Sequence, residues 1–133
     1  MAELSPETQI FGAEPQHYND HQISLRAGKR VGLKETPPTL CDALMTPIPG
    51  EITFPINQRS LSDVFGVSDH NCLEAMALAK LEMNVELEPG GAVAMAALLT
   101  NQLPENLKEI CVILSGGNVD PEIMAKAMAL HQS

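Results

Sequence analysis

The chain has no tryptophan, one tyrosine and three phenylalanines, so only 3% of its 133 residues are aromatic. Its core must therefore be built from Leu, Ile, Val, Ala and seven Met, the last an adaptable filler that specifies shape weakly. Basic residues are scarce. Eight Lys and Arg against 17 Asp and Glu leave a net charge of −9. Without a basic patch the chain does not fit a nucleic-acid binder, and its negative charge reads as a contribution to solubility. Cysteine is limited to Cys41, Cys72 and Cys111. They are odd in number and widely spaced, which matches no zinc pattern and points to a reduced compartment. Cys72 and Cys111 sit in apolar patterns and are expected in the core. No long hydrophobic run exists. The longest, Ala92 to Leu99, is far too short to cross a bilayer. With no signal peptide and no membrane partner to suggest otherwise, a cytoplasmic location is the default expectation.

What is present suffices for one modest domain, with a 44% apolar share that fits a globular chain. Strands and helices alternate along it. Strands are expected at 8–13, 63–67, 85–87 and 110–114. Helices are expected at 20–27, 39–46, 68–84, 90–102 and 121–131. Residues 52–55 read as extended, with a helical turn at 57–62. Ser68 is a good N-cap with Asp69 in the first turn. Cys72, Met76, Ala79 and Met83 then mark one helical face. Asp120 before Pro121 is a helix start signal. The alternation predicts an α/β fold, a partial open, mostly parallel sheet flanked by helices.

Two segments carry chemistry. Ile110 to Leu114 reads as a buried strand, and Ser115-Gly116-Gly117-Asn118 follows it as a tight turn before the last helix. In open α/β sheets ligands bind at the carboxyl ends of strands, where glycines let the backbone come close. The competing explanation is an ordinary strand-to-helix loop. The second segment, Glu88-Pro89-Gly90-Gly91, opens a helix with no polar face, which must be covered on all sides.

These two segments, with Thr8 to Pro15, Thr39 to Leu44, Pro49 to Ile56 and Val64 to Asp69 in order, resemble the carboxyl-terminal part of the threonine/serine ammonia-lyase and serine racemase family. Its members are pyridoxal-phosphate enzymes with the tryptophan-synthase-β-like fold (fold type II). The resemblance implies that residues 1–133 are the carboxyl-terminal part of a large domain, with no regulatory domain after residue 133. Family enzymes hold the cofactor as a Schiff base on a lysine in a Ser-Phe-Lys-like motif and cradle its phosphate in a run of four glycines. Neither motif occurs here. Lys29, Lys34, Lys80, Lys108 and Lys126 all lack that context, so no catalytic residue is assigned within the chain.

The same resemblance implies a cofactor-binding set of Ser115, Gly116, Gly117, Asn118, Glu88 and Ala43. The Ser115 hydroxyl would hydrogen-bond the pyridine nitrogen without forcing it to be protonated, a weaker electron sink that suits β-elimination. Glu88 would order the site, or else be a solvent-facing carboxylate before a helix. Ala43 stands where the family often has Gly against one face of the ring. The resemblance also implies a magnesium or calcium site formed by Glu14, the Tyr18 carbonyl and Asp20. A few protein ligands plus waters suit a hard cation. The alternative is that Asp20 caps the helix at 21–27 and Glu14 ends a strand. The histidines show no metal spacing and are expected on the surface.

The expected parent activity is conversion of threonine or serine to a 2-oxo acid and ammonia, with this chain inactive alone. A serine racemase parent uses the same segments. A non-catalytic domain that self-associates, or that complements an amino-terminal portion, is the reading from another functional class.

Overall fold

The computed structural model describes residues 4–131. Two short strands, β1 (Phe11–Pro15) and β2 (Asp63–Val67), pair in parallel from Phe11↔Asp63 to Pro15↔Val67. Five helices surround them: α1 (Asp20–Ala27), α2 (Thr53–Ser60), α3 (Asp69–Met83), α4 (Pro89–Leu99) and α5 (Pro121–His131). A 3₁₀ turn occupies Asp42–Leu44. This is the expected α/β class with a small parallel sheet.

The core lies where α3 meets α4 and the sheet. Cys72, Ala75, Met76, Ala77 and Ala79 of α3 are fully buried, as are Ala92 and Ala96 of α4. Alanine at so many contact positions lets the helix backbones approach closely, and Met76 and Val93 fill the gaps that remain. The α5 helix seals the other side of α3 through Ala127. The expected face of α3 holds through Cys72, Met76 and Ala79. It fails at Met83, which is 47% exposed at the helix end.

Local signals are honoured where they are strong. Ser68 forms a full capping box with Asn71 at the start of α3. Asp120 Oδ1 accepts from the Glu122 amide at 2.8 Å and caps α5. The helix α3 ends at Asn84, whose φ of 53° is the left-handed cap conformation.

Several expectations are corrected. Residues 52–55 are not extended, because α2 starts at Thr53, and Pro55 sits in its first turn, where an amide is not needed. The Phe54 amide closes that turn on the Gly50 carbonyl. The first strand runs 11–15 rather than 8–13, since only there does β2 lie alongside. Val85 to Leu87 pairs with no strand among the described residues. The Val85 amide turns back to the Ala79 carbonyl, closing α3. The 39–46 helix shrinks to the 3₁₀ turn, and α4 stops at Leu99. Residues 110–114 have no strand partner among the described residues, and Ile110 and Ile113 are exposed. Cys111 is exposed rather than in the core. Cys41 and Cys72 are both buried, with their sulfurs 3.7 Å apart.

Candidate functional site

The first site is built where the 115–118 loop crosses the start of α4. The Glu88 amide donates to the Gly116 carbonyl at 3.1 Å. The Glu88 side chain reaches back, its Oε2 accepting from the Asn118 amide at 3.2 Å. Two glycines make this crossing possible. A Cβ on Gly91 would lie 1.8 Å from the Ser115 carbonyl oxygen. Gly116 has φ +85°, and a Cβ there would meet Glu88 Oε1 at 2.5 Å. Ala43 and Leu44 of the 3₁₀ turn close the near side, where a Cβ added at Gly90 would lie 3.7 Å from Ala43 Cβ and 3.6 Å from Leu44 Cγ.

Five of the six expected cofactor residues, namely Ser115, Gly116, Gly117, Asn118 and Glu88, thus meet at one crossing, and Ala43 borders it through Gly90. Glu88 is tied to the loop rather than left in solvent. Ser115 and Asn118 are exposed, so the Ser115 hydroxyl is open to a ligand. Part of the glycine requirement is structural, set by the loop-on-helix contact itself. The residues present still fit a pyridine ring, offering an exposed hydroxyl on a loop pinned from below by a carboxylate.

Asp69 anchors the segment leading to Ala43. Its Oδ1 accepts from Thr39 Oγ1 and its Oδ2 from the Leu40 amide. The carboxylate expected to favour the α3 N-terminus therefore also holds the 3₁₀ turn in place. A cleft of about 280 Å³ opens nearby at the carboxyl ends of β1 and β2, among Gln16, His17, Thr39, Ser68 and His70. None of the expected cofactor residues lines it.

The second site lies between the end of β1 and the first turn of α1. Glu14 and Asp20 are buried. The Gln22 amide donates to Glu14 Oε1 at 3.0 Å. A helix beginning one residue earlier would spend that amide on the Tyr18 carbonyl. Asn19, not Asp20, occupies the N-cap position, so the expected capping role of Asp20 is corrected. Asp20 Oδ2 is buried without a hydrogen-bond partner. Burial, with the Asp20 charge adding to it, raises the Glu14 pKa to about 7 against the opposing pull of the Gln22 amide. Burial also raises the Asp20 pKa. Two buried carboxyls and an orphaned oxygen are a donor set that a cation would satisfy. Of the expected trio, Glu14 and Asp20 are brought together. The expected ligand at Tyr18 is its carbonyl, and its hydroxyl, which the site does not use, donates to the Thr36 carbonyl.

His21 was expected on the surface without a metal role, and that expectation is corrected. It is half-buried, and its ring lies beside both carboxylates. The available signal was its place next to Asp20, which is uninformative until β1 and α1 are seen to meet.

The fold belongs to a known class of protein. The family profile described as pyridoxal-phosphate dependent enzyme matches residues 1–116, and the chain belongs to that family. It is 34% identical over 125 residues to an L-threo-3-hydroxyaspartate ammonia-lyase from Pseudomonas sp, covering 94% of this chain and 39% of that protein. It is 34% identical over 119 residues to a serine racemase from Schizosaccharomyces pombe, covering 90% of this chain and 36% of that protein. Among solved structures, a T.th. threonine deaminase superposes with a TM-score of 0.82 at 36% identity, covering 90% of this chain and 43% of that one. Maize serine racemase gives 0.84 at 31% identity, covering 98% and 42%. The chain therefore spans between 36% and 43% of the length of these relatives.

Proposed function

We propose that this chain supplies the ring-nitrogen end of a pyridoxal-phosphate site in an ammonia-lyase that eliminates the β-hydroxyl of threonine, serine or a related hydroxy amino acid. The observation that carries the reading is the pinned crossing of the Ser115–Asn118 loop over α4. Pyridoxal phosphate, when bound, draws electrons from the substrate α-carbon. Ser115 Oγ would donate to the ring nitrogen and, being neutral, would not force that nitrogen to carry a proton. Glu88 holds the loop from beneath through the Asn118 amide, so the hydroxyl does not have to be ordered when the ring arrives. Ala43 would pack against one face of the ring. The Schiff-base lysine and the phosphate cradle would come from outside residues 1–133.

A racemase parent draws support from the superposition on maize serine racemase and would use the same Ser115 contact. A domain that acts only by association draws support from the exposed Ile110 and Ile113, an apolar run with no strand partner among the described residues. Either a lysine-bearing amino-terminal portion or a second copy would cover that run. A cytoplasmic setting agrees with the unpaired thiols. No helix among the described residues is long and apolar enough to cross a membrane.

Glu14, the Tyr18 carbonyl and Asp20 hold a divalent cation, magnesium or calcium in the simplest form of this reading. Its role is to tie the end of β1 to α1.

The test is reconstitution. The chain alone, mixed with pyridoxal phosphate, is expected to give no stoichiometric borohydride-trappable adduct on any of its lysines. Joined to the lysine-bearing portion of its parent, it is expected to release a 2-oxo acid and ammonia from a β-hydroxy amino acid. A trappable adduct at one lysine of the isolated chain, or a reconstituted protein without elimination activity, overturns the proposal.

A further inference from the structure

Glu14, Asp20 and His21 offer two carboxylate oxygens and a ring nitrogen that all lie within 4.8 Å of one another. His21 Nδ1 is 3.7 Å from Asp20 Oδ2 and 4.0 Å from Glu14 Oε2. Both separations are too long for hydrogen bonds, so the ring does not satisfy the carboxylates directly. Asp20 Oδ2, on a residue only 2% exposed, is left without a partner and faces this gap.

We propose that His21 Nδ1 is a ligand at this site, so that it selects a borderline first-row divalent cation, such as cobalt, nickel or zinc, over magnesium or calcium. The inference rests on the reading that residues 14–20 hold a cation. It goes further by naming a nitrogen ligand and the class of ion.

Coordination bonds of about 2.1 Å put neighbouring donors roughly 3.0–3.4 Å apart in octahedral or tetrahedral geometry. The His21 separations of 3.7 and 4.0 Å, within a set spanning at most 4.8 Å, are wider by about 0.3 Å to more than 1 Å, so the side chains rotate inward to close on an ion. The Gln22 amide holds Glu14 Oε1 and turns Oε2 toward the gap. Imidazole favours cobalt, nickel and zinc, whereas magnesium and calcium prefer oxygen donors.

The ring also has an outer partner. His21 Nε2 lies 3.0 Å from Asn57 Nδ2 on α2. With Nδ1 on a cation, Nε2 carries the proton and donates. The Asn57 amide turned end for end presents Oδ1 to receive it. Either orientation satisfies one tautomer, so the same asparagine serves the ring with and without the ion.

The experiment titrates the chain with cobalt(II) alone and magnesium alone, read by calorimetry, thermal midpoint and the visible bands of cobalt. The expected result is cobalt binding at least about tenfold tighter than magnesium. His21→Gln is expected to abolish that preference and alter the cobalt bands while the magnesium response persists. Asn57→Asp, which only accepts, is expected to tighten cobalt, and Asn57→Leu to weaken it by about 10- to 100-fold. His17→Gln, on an exposed ring outside the cluster, is the control and should change nothing. A cobalt-to-magnesium ratio unchanged in His21→Gln overturns the inference while leaving the cation site intact. A chain that responds to neither ion, with Glu14→Gln behaving like the native protein, removes the cation site and the inference together.

Discussion

At the scale of single residues, two carboxyls held away from water set the pH response. The folded chain binds the Glu14 proton more tightly than the unfolded chain does, since its pKa is raised from 4.5 to about 7. Stability of the metal-free protein should therefore fall as pH rises from about 4.5 to about 7, because ionisation is resisted only in the folded state. The full effect is on the order of 3 kcal/mol, and Asp20 adds to it in the same direction. Denaturant unfolding in chelator across that range should show the decline, and Glu14→Gln should flatten most of it. A native protein whose stability rises over the same range would contradict the burial argument. The glycines make a second prediction. Gly91→Ala places a Cβ 1.8 Å from the Ser115 carbonyl, so the loop must move off α4. A destabilisation of roughly 1–3 kcal/mol is expected, measurable by denaturant unfolding, and no change would mean the loop is not seated there. The identity of the loop residues was legible in the sequence, as Ser115, Gly116, Gly117 and Asn118 are contiguous. The metal cluster was legible only in part. His21 joins Glu14 across a turn, and nothing in its spacing announces that.

At the scale of elements, legibility followed the range of the forces involved. The starts of α3 and α5 depend on neighbours within three residues, Ser68 with Asn71 and Asp120 with Glu122, and both were readable. The helix α2 was not, because Pro55 is equally at home in an extended segment and in a first helical turn. The run at 110–114 has the composition of a strand, yet strand structure requires a neighbour to pair its amides. None lies alongside among the described residues. The apolar helix α4 was expected to need cover on all sides, with a large partner surface as one source of it. Instead α3 and the sheet bury its Ala92, Val93, Ala96 and Ala97. The α3–α4 contact should thus dominate stability. Met76 is fully buried there, and Met76→Ala is expected to cost roughly 2–5 kcal/mol in denaturant unfolding. A cost below about 1 kcal/mol would show that the alanine-rich interface collapses around the deletion without strain.

At the scale of the whole molecule, the most exposed large apolar side chains are Leu4, 92% exposed, Ile52, 82%, and Ile113, 76%, the last with Ile110 in the 110–114 run. Self-association through the 110–114 run, rather than through α4, is the expected behaviour of the isolated chain, and salt should strengthen it by screening the net charge of −9. Light scattering that finds a monomer at tens of micromolar, with no hydrophobic dye bound, would argue against it. Under the proposed function, that surface docks the rest of the enzyme and the neighbouring loop presents the Ser115 hydroxyl to a pyridine nitrogen. The direct measurement is steady-state elimination by the complete enzyme carrying Ser115→Ala. Losing one hydrogen bond of roughly 1–3 kcal/mol predicts a fall of about five- to 150-fold in kcat if the bond is fully expressed in the transition state, with unfolding midpoint unchanged. Turnover equal to that of the native protein would show that Ser115 is a turn residue only.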